Sequence, residues 1–286
     1  MVAALAAFFH GDVASAAELA ERAVSVSYEP GRRPTVAAWT NLSAVRMWSG
    51  DLESAARLGE EAWDVANEID DPYGFAWVTS GCSFVAALDP TIGIARVEHA
   101  MSAVMPVAGP EVSAWATSMA GNCYCEAGLF ERAIEMLEQS VELARIAAGS
   151  TAARWTYAPL AVLQGEFRNP LTGLATARQG ITESYAQGAL TALVWDLESA
   201  ATVLSMVEQH ELGSVIHAAV DLKIVAPFVI MEKGWQRDVR VRGRTATATA
   251  VGPDGAGRAS RRARSLNIAS LVEYTLDGID QTVAQS

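Results

Sequence analysis

Apolar and polar positions in this chain do not alternate as a half-buried strand requires. Three stretches instead share a longer pattern: Gly11-Asp12-Val13-Ala14-Ser15-Ala16-Ala17, Gly50-Asp51-Leu52-Glu53-Ser54-Ala55-Ala56 and Gly128-Leu129-Phe130-Glu131-Arg132-Ala133-Ile134. In each, an apolar residue stands two after the glycine (Val13, Leu52, Phe130) and a small residue five after (Ala16, Ala55, Ala133). A second small residue stands twelve after (Ala23, Ala62, Ser140). The two small positions are seven apart and share one face of a helix, which predicts close approach by a neighbouring helix.

Tryptophans run in register with this pattern. Six of the eight stand at 39, 77, 115, 155, 195 and 235, at intervals of 38, 38, 40, 40 and 40. Turn residues follow the first five, at Gly50-Asp51, Asp89-Pro90, Gly128-Leu129, Asn169-Pro170 and His210-Glu211, and an earlier turn falls at Gly11-Asp12. The repeating unit is therefore a helix A carrying Trp, a turn and a helix B, with each Trp expected between the two helices of its own pair. Alanine, the best helix former, is the commonest apolar residue. The fold class expected is all-α.

Trp39, Leu42, Ser43, Gly50, Leu52, Ala55 and Ala62 resemble the tetratricopeptide pattern of Trp, Leu and a small residue, then Gly, an apolar residue, Ala and Ala. Three features depart from it. The period exceeds the usual roughly 34 residues. Arg46 stands where Tyr is expected, and the proline after helix B is irregular, although Pro34, Pro72 and Pro110 open helices. With its long helices, the region of about residues 1–222 resembles the repeat arrays of large bacterial signal-transduction ATPases with LuxR-type or cyclase modules, the MalT-like regulators. The resemblance implies a right-handed tetratricopeptide-like superhelix of roughly five to six helix pairs. It also implies a cytoplasmic, non-enzymatic protein-interaction and regulatory module, whose partner is a protein segment or an upstream ATPase domain. The alternative it carries is a sensor that takes a small-molecule inducer inside the superhelix. Counting the repeat back from Gly11 places the first Trp before Met1, and residues 1–9 read as the raw apolar face of a repeat continued upstream.

Residues 223–286 read as a linker and a C-terminal helical cap. Residues 237–264 hold eight arginines and two acids, Asp238 and Asp254, a local charge of 8 − 2 = +6. Gly252-Pro253-Asp254-Gly255 should break this segment. Residues 266–279 predict an amphipathic helix with Ile268, Leu271, Val272, Thr275 and Leu276 on one face. Ser265-Leu266 and Leu271-Val272-Glu273-Tyr274-Thr275-Leu276 resemble the end of the same regulators, but no helix has the character of a DNA-recognition helix. Trp235 lies on the period with no helix B behind it, so its spacing is taken as coincidental.

Charge and chemistry narrow the picture. The net charge is −12, and the chain outside residues 237–264 carries −12 − 6 = −18, which repels nucleic acid and favours docking of the arginine cluster on the chain itself or a partner. That cluster has no interleaved aromatics to stack bases. No run of uncharged apolar residues is long enough for a membrane span. Three cysteines, Cys82, Cys123 and Cys125, are no disulfide framework and fit a reducing compartment. Cys123 and Cys125, two apart on a helix, point away from each other and cannot share a metal. His210 and His217 lack any zinc-binding framework and read as a turn residue and a packed or surface residue. Gly252, Gly255 and Gly257 follow no strand and precede no Lys-Ser/Thr, so they read as a loop, and no cofactor is expected. Nor does any nucleophile–base pair or metal set emerge. The remaining candidates are polar residues of the A helices facing a concave groove: Asn41, Arg46, Thr79, Ser83, Ser118, Asn122, Arg154, Tyr157, Asp196 and Glu198.

Overall fold

Acidic, amide and proline residues set where the helices begin. The computed structural model describes residues 3–4, 7, 10, 12–27, 33–48, 51–147, 154–223 and 234–286. These form thirteen helices and no strand: α1 (Val13–Ser27), α2 (Arg33–Trp48), α3 (Leu52–Ile69), α4 (Pro72–Leu88), α5 (Pro90–Val104), α6 (Pro110–Glu126), α7 (Phe130–Ile146), α8 (Tyr157–Phe167), α9 (Pro170–Ala186), α10 (Leu190–Met206), α11 (His210–Lys223), α12 (Trp235–Ser265) and α13 (Ile268–Gln285). Asp71, Asp89 and Asn169 cap α4, α5 and α9 by accepting from backbone N–H groups of the first turn, each followed by proline at the first helical position. Pro72 and Pro110 open helices as expected, and Pro34 is the second residue of α2.

Five of the six A-to-B turns share one closure, and at the sixth Asp89 N–H donates instead to the Val85 carbonyl, four residues earlier. The backbone N–H of Asp12, Asp51, Leu129, Asn169 and Gln209 donates to the carbonyl five residues earlier, the tight helix-ending bond. Gly128 sits there in the left-handed region, at φ 75°, where glycine carries no side-chain penalty. The last turn differs from the expectation of His210-Glu211. His210 already begins α11, and the turn is Val207–Glu208–Gln209, with Glu208 left-handed at φ 61°. Gly11, Gly50 and the side chains of Val13 and Leu52 lie outside the described residues, as do most of residues 1–9.

From each of these turns the same position follows. The residue four after the cap is Ala16, Ala55, Gly93, Ala133, Gly173 or Gly213, and its N–H makes the first hydrogen bond of helix B, to the cap carbonyl. All six are buried. Twelve residues before the last five stand Ser43, Gly81, Gly121, Ala161 and Ala201 on helix A. The two helices nearly touch here. Ser43 Oγ donates to the Ala55 carbonyl at 2.6 Å. A Cβ on Gly93 would lie 2.5 Å from Ala86, and one on Gly173 2.4 Å from the Ala161 carbonyl oxygen. The small residues expected at Ala16, Ala55 and Ala133 thus sit at the helix crossing, and Gly93, Gly173 and Gly213 continue the series.

Against this ruler the tryptophans split into two registers. Trp39 and Trp77 stand four before the helix-A small residue, whereas Trp115, Trp155 and Trp195 stand six before it. Two residues are about 200° of helix, so Trp115 and Trp195 point away from the direction Trp39 and Trp77 take on their helices, and Trp155 stands before α8 begins. Trp39 and Trp77 pack against the cluster of Val36, Ala62, Val65, Phe75 and Val104. Trp115 instead meets Trp77 of the preceding A helix, ring centroids 6.0 Å apart.

The chain divides into two compact units, the first built on Met1–Thr156 and the second on Tyr157–Ala226 with Gln236–Ser286. The division falls after Thr156, not near residue 222, because α12 and α13 join α8–α11. In the first unit each helix packs on the next, and the A helices stack α2 on α4 on α6. In the second, α8 pairs with α9, α10 with α11, α8 stacks on α10, and α13 covers α9 and α11. The break at Gly252-Pro253 is present: Gly252 adopts φ 64° and divides α12 in two. Leu271, Val272 and Thr275 of α13 are buried as their spacing predicts, while Ile268 and Leu276 are half-buried. Trp235, the first residue of α12, belongs to the first unit, its ring 6.0 Å from that of Phe130 in the same unit. No described helix is long and apolar enough to cross a membrane.

Candidate functional site: the polar residues of the A helices

Polar residues on the A helices were expected to line an open groove. The structure buries most of them instead. Thr79, Ser118 and Asp196 are 0% exposed, Tyr157 3%, and Asn41, Ser83, Asn122 and Glu198 6%. Only Arg46 and Arg154 keep partial exposure. The reason is the stacking: α4 is flanked by α2 and α6 as well as by its own helix B, and in the second unit α8 and α10 stack on each other.

In the first unit these side chains are internal struts. Thr79 and Ser83 hydroxyls donate to carbonyls of their own helix, Ala76 at 2.6 Å and Ser80 at 3.1 Å. Asn41 Nδ2 is buried with no partner. Arg46 pairs with Glu21 of α1. Ser118 and Asn122 join a network that the sequence did not reveal. Thr156 donates to Ser118 Oγ at 2.9 Å, and Ser140 Oγ lies 3.1 Å from Thr156 Oγ1 and donates to the Ala114 carbonyl at 2.8 Å. Asn122 Nδ2 donates to the carbonyls of Ser118 and Trp155. Ser140 was singled out as a small residue; its hydroxyl, bonding α7 to α6, is its second role. Burial pushes the Arg154 guanidinium below its ordinary value.

In the second unit two carboxyl sites form. The first surrounds Asp196 of α10. Its Oδ2 accepts from Ser184 of α9 at 2.6 Å, while Oδ1 has no hydrogen-bond partner. A Cβ on Gly180 would lie 2.7 Å from that oxygen and 2.6 Å from Tyr157 Cβ, so glycine is what admits the carboxyl. Burial drives Asp196 up to about 8, the Ser184 hydrogen bond opposes this, and Glu183 adds to it. Tyr157 donates to Glu183 at 2.9 Å and accepts from Gln179 at 3.0 Å.

The second site surrounds Glu198, two residues on and therefore on another face. Arg244 of α12 grips it, donating from Nε to Oε2 at 3.1 Å and from Nη2 to Oε1, and binds Asp221 of α11 with two further bonds of 2.9 Å. His217 Nδ1 lies 3.1 Å from Glu198 Oε2. Burial alone would raise Glu198, but the hydrogen bonds and charges of His217 and Arg244 outweigh it and hold the carboxyl at about 2. Burial lowers Arg244, but its hydrogen bonds and charge attraction to Asp221 and Glu198 hold it above its ordinary range. His217 is thus a packed residue, and His210 the first residue of a helix.

The arginine cluster docks on the chain itself, as its charge contrast suggested: Arg242 on Glu166, Arg244 on Glu198 and Asp221, Arg258 on Glu211. The arginines are legible in the sequence; their acidic partners, spread over α8, α10 and α11, are not. Cys82, Cys123 and Cys125 are free, buried thiols, each pushed up by burial, Cys82 to about 12. Among the described residues no group of three or more His, Cys, Asp or Glu side chains is placed to hold a metal ion. Searched against models of known families the chain matches none, and no curated protein matches it.

Proposed function

We propose that the chain is a tetratricopeptide-like stack of helix pairs that serves as a non-enzymatic interaction and regulatory module. One observation carries the reading: a small residue of helix A and a small residue of helix B recur twelve apart through five successive pairs, from Ser43 and Ala55 to Ala201 and Gly213. A helix pair locked at one crossing, repeated at 38 to 40 residues, makes a frame that leaves the exposed positions free to diverge toward a partner. The partner is a protein segment or a neighbouring domain, and the regulator-like tail is consistent with a signalling role. Buried carboxyls, hydroxyls and thiols serve the packing in this reading, and none is assigned a reacting atom.

The test is affinity capture with the folded chain, with mass spectrometry of both retained proteins and retained small molecules. The expected result is one protein held in stoichiometric amount by the native chain and lost on thermal unfolding. A stoichiometric metabolite with no protein partner would replace this reading with that of a small-molecule sensor.

A further inference from the structure

Residues 236–251 of α12 lie on the second unit through small side chains and charge. Val239, Gly243 and Thr247 are buried and stand four apart, forming one helix face. The backbone rests directly on α10: a Cβ on Gly243 would come within 2.5 Å of Thr202 Oγ1. On α11, a Cβ on Gly213 would lie 3.4 Å from Thr247 Oγ1. Two arginines flank Gly243. Arg242 reaches Glu166 at the end of α8, and Arg244 bridges Glu198 of α10 and Asp221 of α11. The covered face therefore presents three carboxylates around a patch of small side chains.

Charge holds this segment more than apolar burial does, and of its ion pairs the one with Glu198 is buried. Within residues 236–251 the only sizeable buried apolar side chain is Val239, so apolar burial holds the segment weakly. Its ion pairs with Glu166 and Asp221 are partly exposed and weaken with salt. The seated helix also leaves polar atoms buried without partners: Thr247 Oγ1, Arg240 Nε and His217 Nε2. Helix α10 beneath it also has an apolar core of its own, with Leu193, Leu197, Val203 and Leu204 all 0% exposed.

The geometry points to a docking surface for a basic helix on the second unit: Glu166, Glu198 and Asp221 receive arginines that flank a small residue, and residues 236–251 are a resident occupant that a partner helix of the same chemistry displaces. The inference rests on the reading of the chain as an interaction module and names the chemistry of its partner. That partner is a helical segment of another protein, with Arg-small-Arg and a second small residue four positions beyond the first. It binds better than the resident by pairing His217 Nε2 and burying more apolar surface.

The test uses the full chain carrying Arg242→Glu and Arg244→Glu, which repels the resident helix, and a fluorescent peptide of residues 236–251. The expected result is peptide binding to this variant at least about tenfold tighter than to the unaltered chain, where the resident competes. Binding should weaken on raising NaCl from about 0.05 to about 0.5 M. A peptide with both arginines changed to Glu should not bind. A folded variant that ignores the peptide, or an unaltered chain that binds it equally well, overturns the surface. Hydrogen exchange on the unaltered chain checks the same point without substitution: the same rise in salt should deprotect residues 236–251 and leave α10 protected, and unchanged protection of both overturns the inference. Exchange of residues 236–251 between copies, seen as a dimer, would overturn the assignment to a foreign partner. Failure of the peptide arm beside a captured stoichiometric protein sinks this surface and leaves the interaction-module reading standing.

Discussion

Arg178 holds Asp280 in a two-point grip, Nε to Oδ1 at 2.7 Å and Nη2 to Oδ2 at 3.0 Å, tying α9 to α13. The position is informative. Five residues after the small residue of helix B stand Glu21, Glu60, Glu98 and Glu138, and then Arg178. Glu60 receives Arg96 of the next B helix, and Glu98 receives Arg132. At Arg178 the sign reverses, and the acid comes from α13. The reversal lets a helix outside the A–B alternation close the second unit.

Replacing Arg178 with Glu should therefore loosen α13. Both side chains are about half exposed, 46% and 52%, so the loss is modest, roughly 1 kcal/mol. It should appear as a melting temperature about 2–4 °C lower. Asp280→Lys in the same chain should restore most of it. No recovery in the double variant would mean the pair contributes nothing.

The glycines at the A–B crossing rank themselves by clearance. Gly93→Ala and Gly173→Ala place a methyl 2.5 and 2.4 Å from the partner helix backbone and should each lower stability by about 1–3 kcal/mol. Gly213→Ala meets its nearest atom at 3.3 Å, and the helix propensity gained, about 1 kcal/mol, should offset the contact. Urea denaturation of the three variants checks the order.

Two buried carboxyls give stability opposite dependences on pH. Asp196 is raised to about 8, so its neutral form is favoured by folding. Its contribution is complete below the unfolded carboxyl value near ~3.9 and is lost as pH rises through about 8. Glu198 is lowered to about 2, so its contribution is present above ~4.3 and lost as pH falls through about 2. Between pH 5 and 8 the unaltered chain should lose stability with rising pH. Asp196→Asn keeps an acceptor for Ser184 and should flatten that fall, so that the variant is the more stable at pH 8. Parallel curves for the two proteins across this window would contradict it.

The three thiols should be silent in the folded chain. Cys82 and Cys123 are buried in adjacent A helices, with Cys123 Sγ 3.6 Å from the Cys82 carbonyl oxygen, and Cys125 is 0% exposed. A thiol reagent at pH 8 should label none within minutes under native conditions and all three in denaturant. Fast native labelling of any one would show that its helix opens.

Legibility followed spacing. The small residues at Ala16, Ala55 and Ala133, the turns at Asp89-Pro90 and Asn169-Pro170, the break at Gly252-Pro253 and the buried face of Leu271, Val272 and Thr275 could all be read from the chain, because each is a local relation within one helix or turn. Trp115, Trp155 and Trp195 misled for the same reason. Their even spacing looks like one register, and only the position of the helix crossing shows that Trp115 and Trp195 face differently from Trp39 and Trp77. The groove residues misled more. A polar side chain on helix A has the same sequence signature whether it meets water or a hydroxyl 38 residues away, as Ser118 meets Thr156.

The sequence by itself determined the repeating helices, their turns and the recurrence of small residues, since helix formation and capping depend on neighbours within a few positions, but it read Gly252, Gly255 and Gly257 as a loop where α12 continues past a kink at Gly252. Its charge also pointed to docking of the arginines, on the chain itself or on a partner. Only the tertiary structure decided which acids, where the chain divides, and that Asp196 and Glu198, two residues apart, acquire opposite shifts. Those outcomes depend on what packs against a side chain, and Gly180, Ser184, His217 and Arg244 arrive there from other helices.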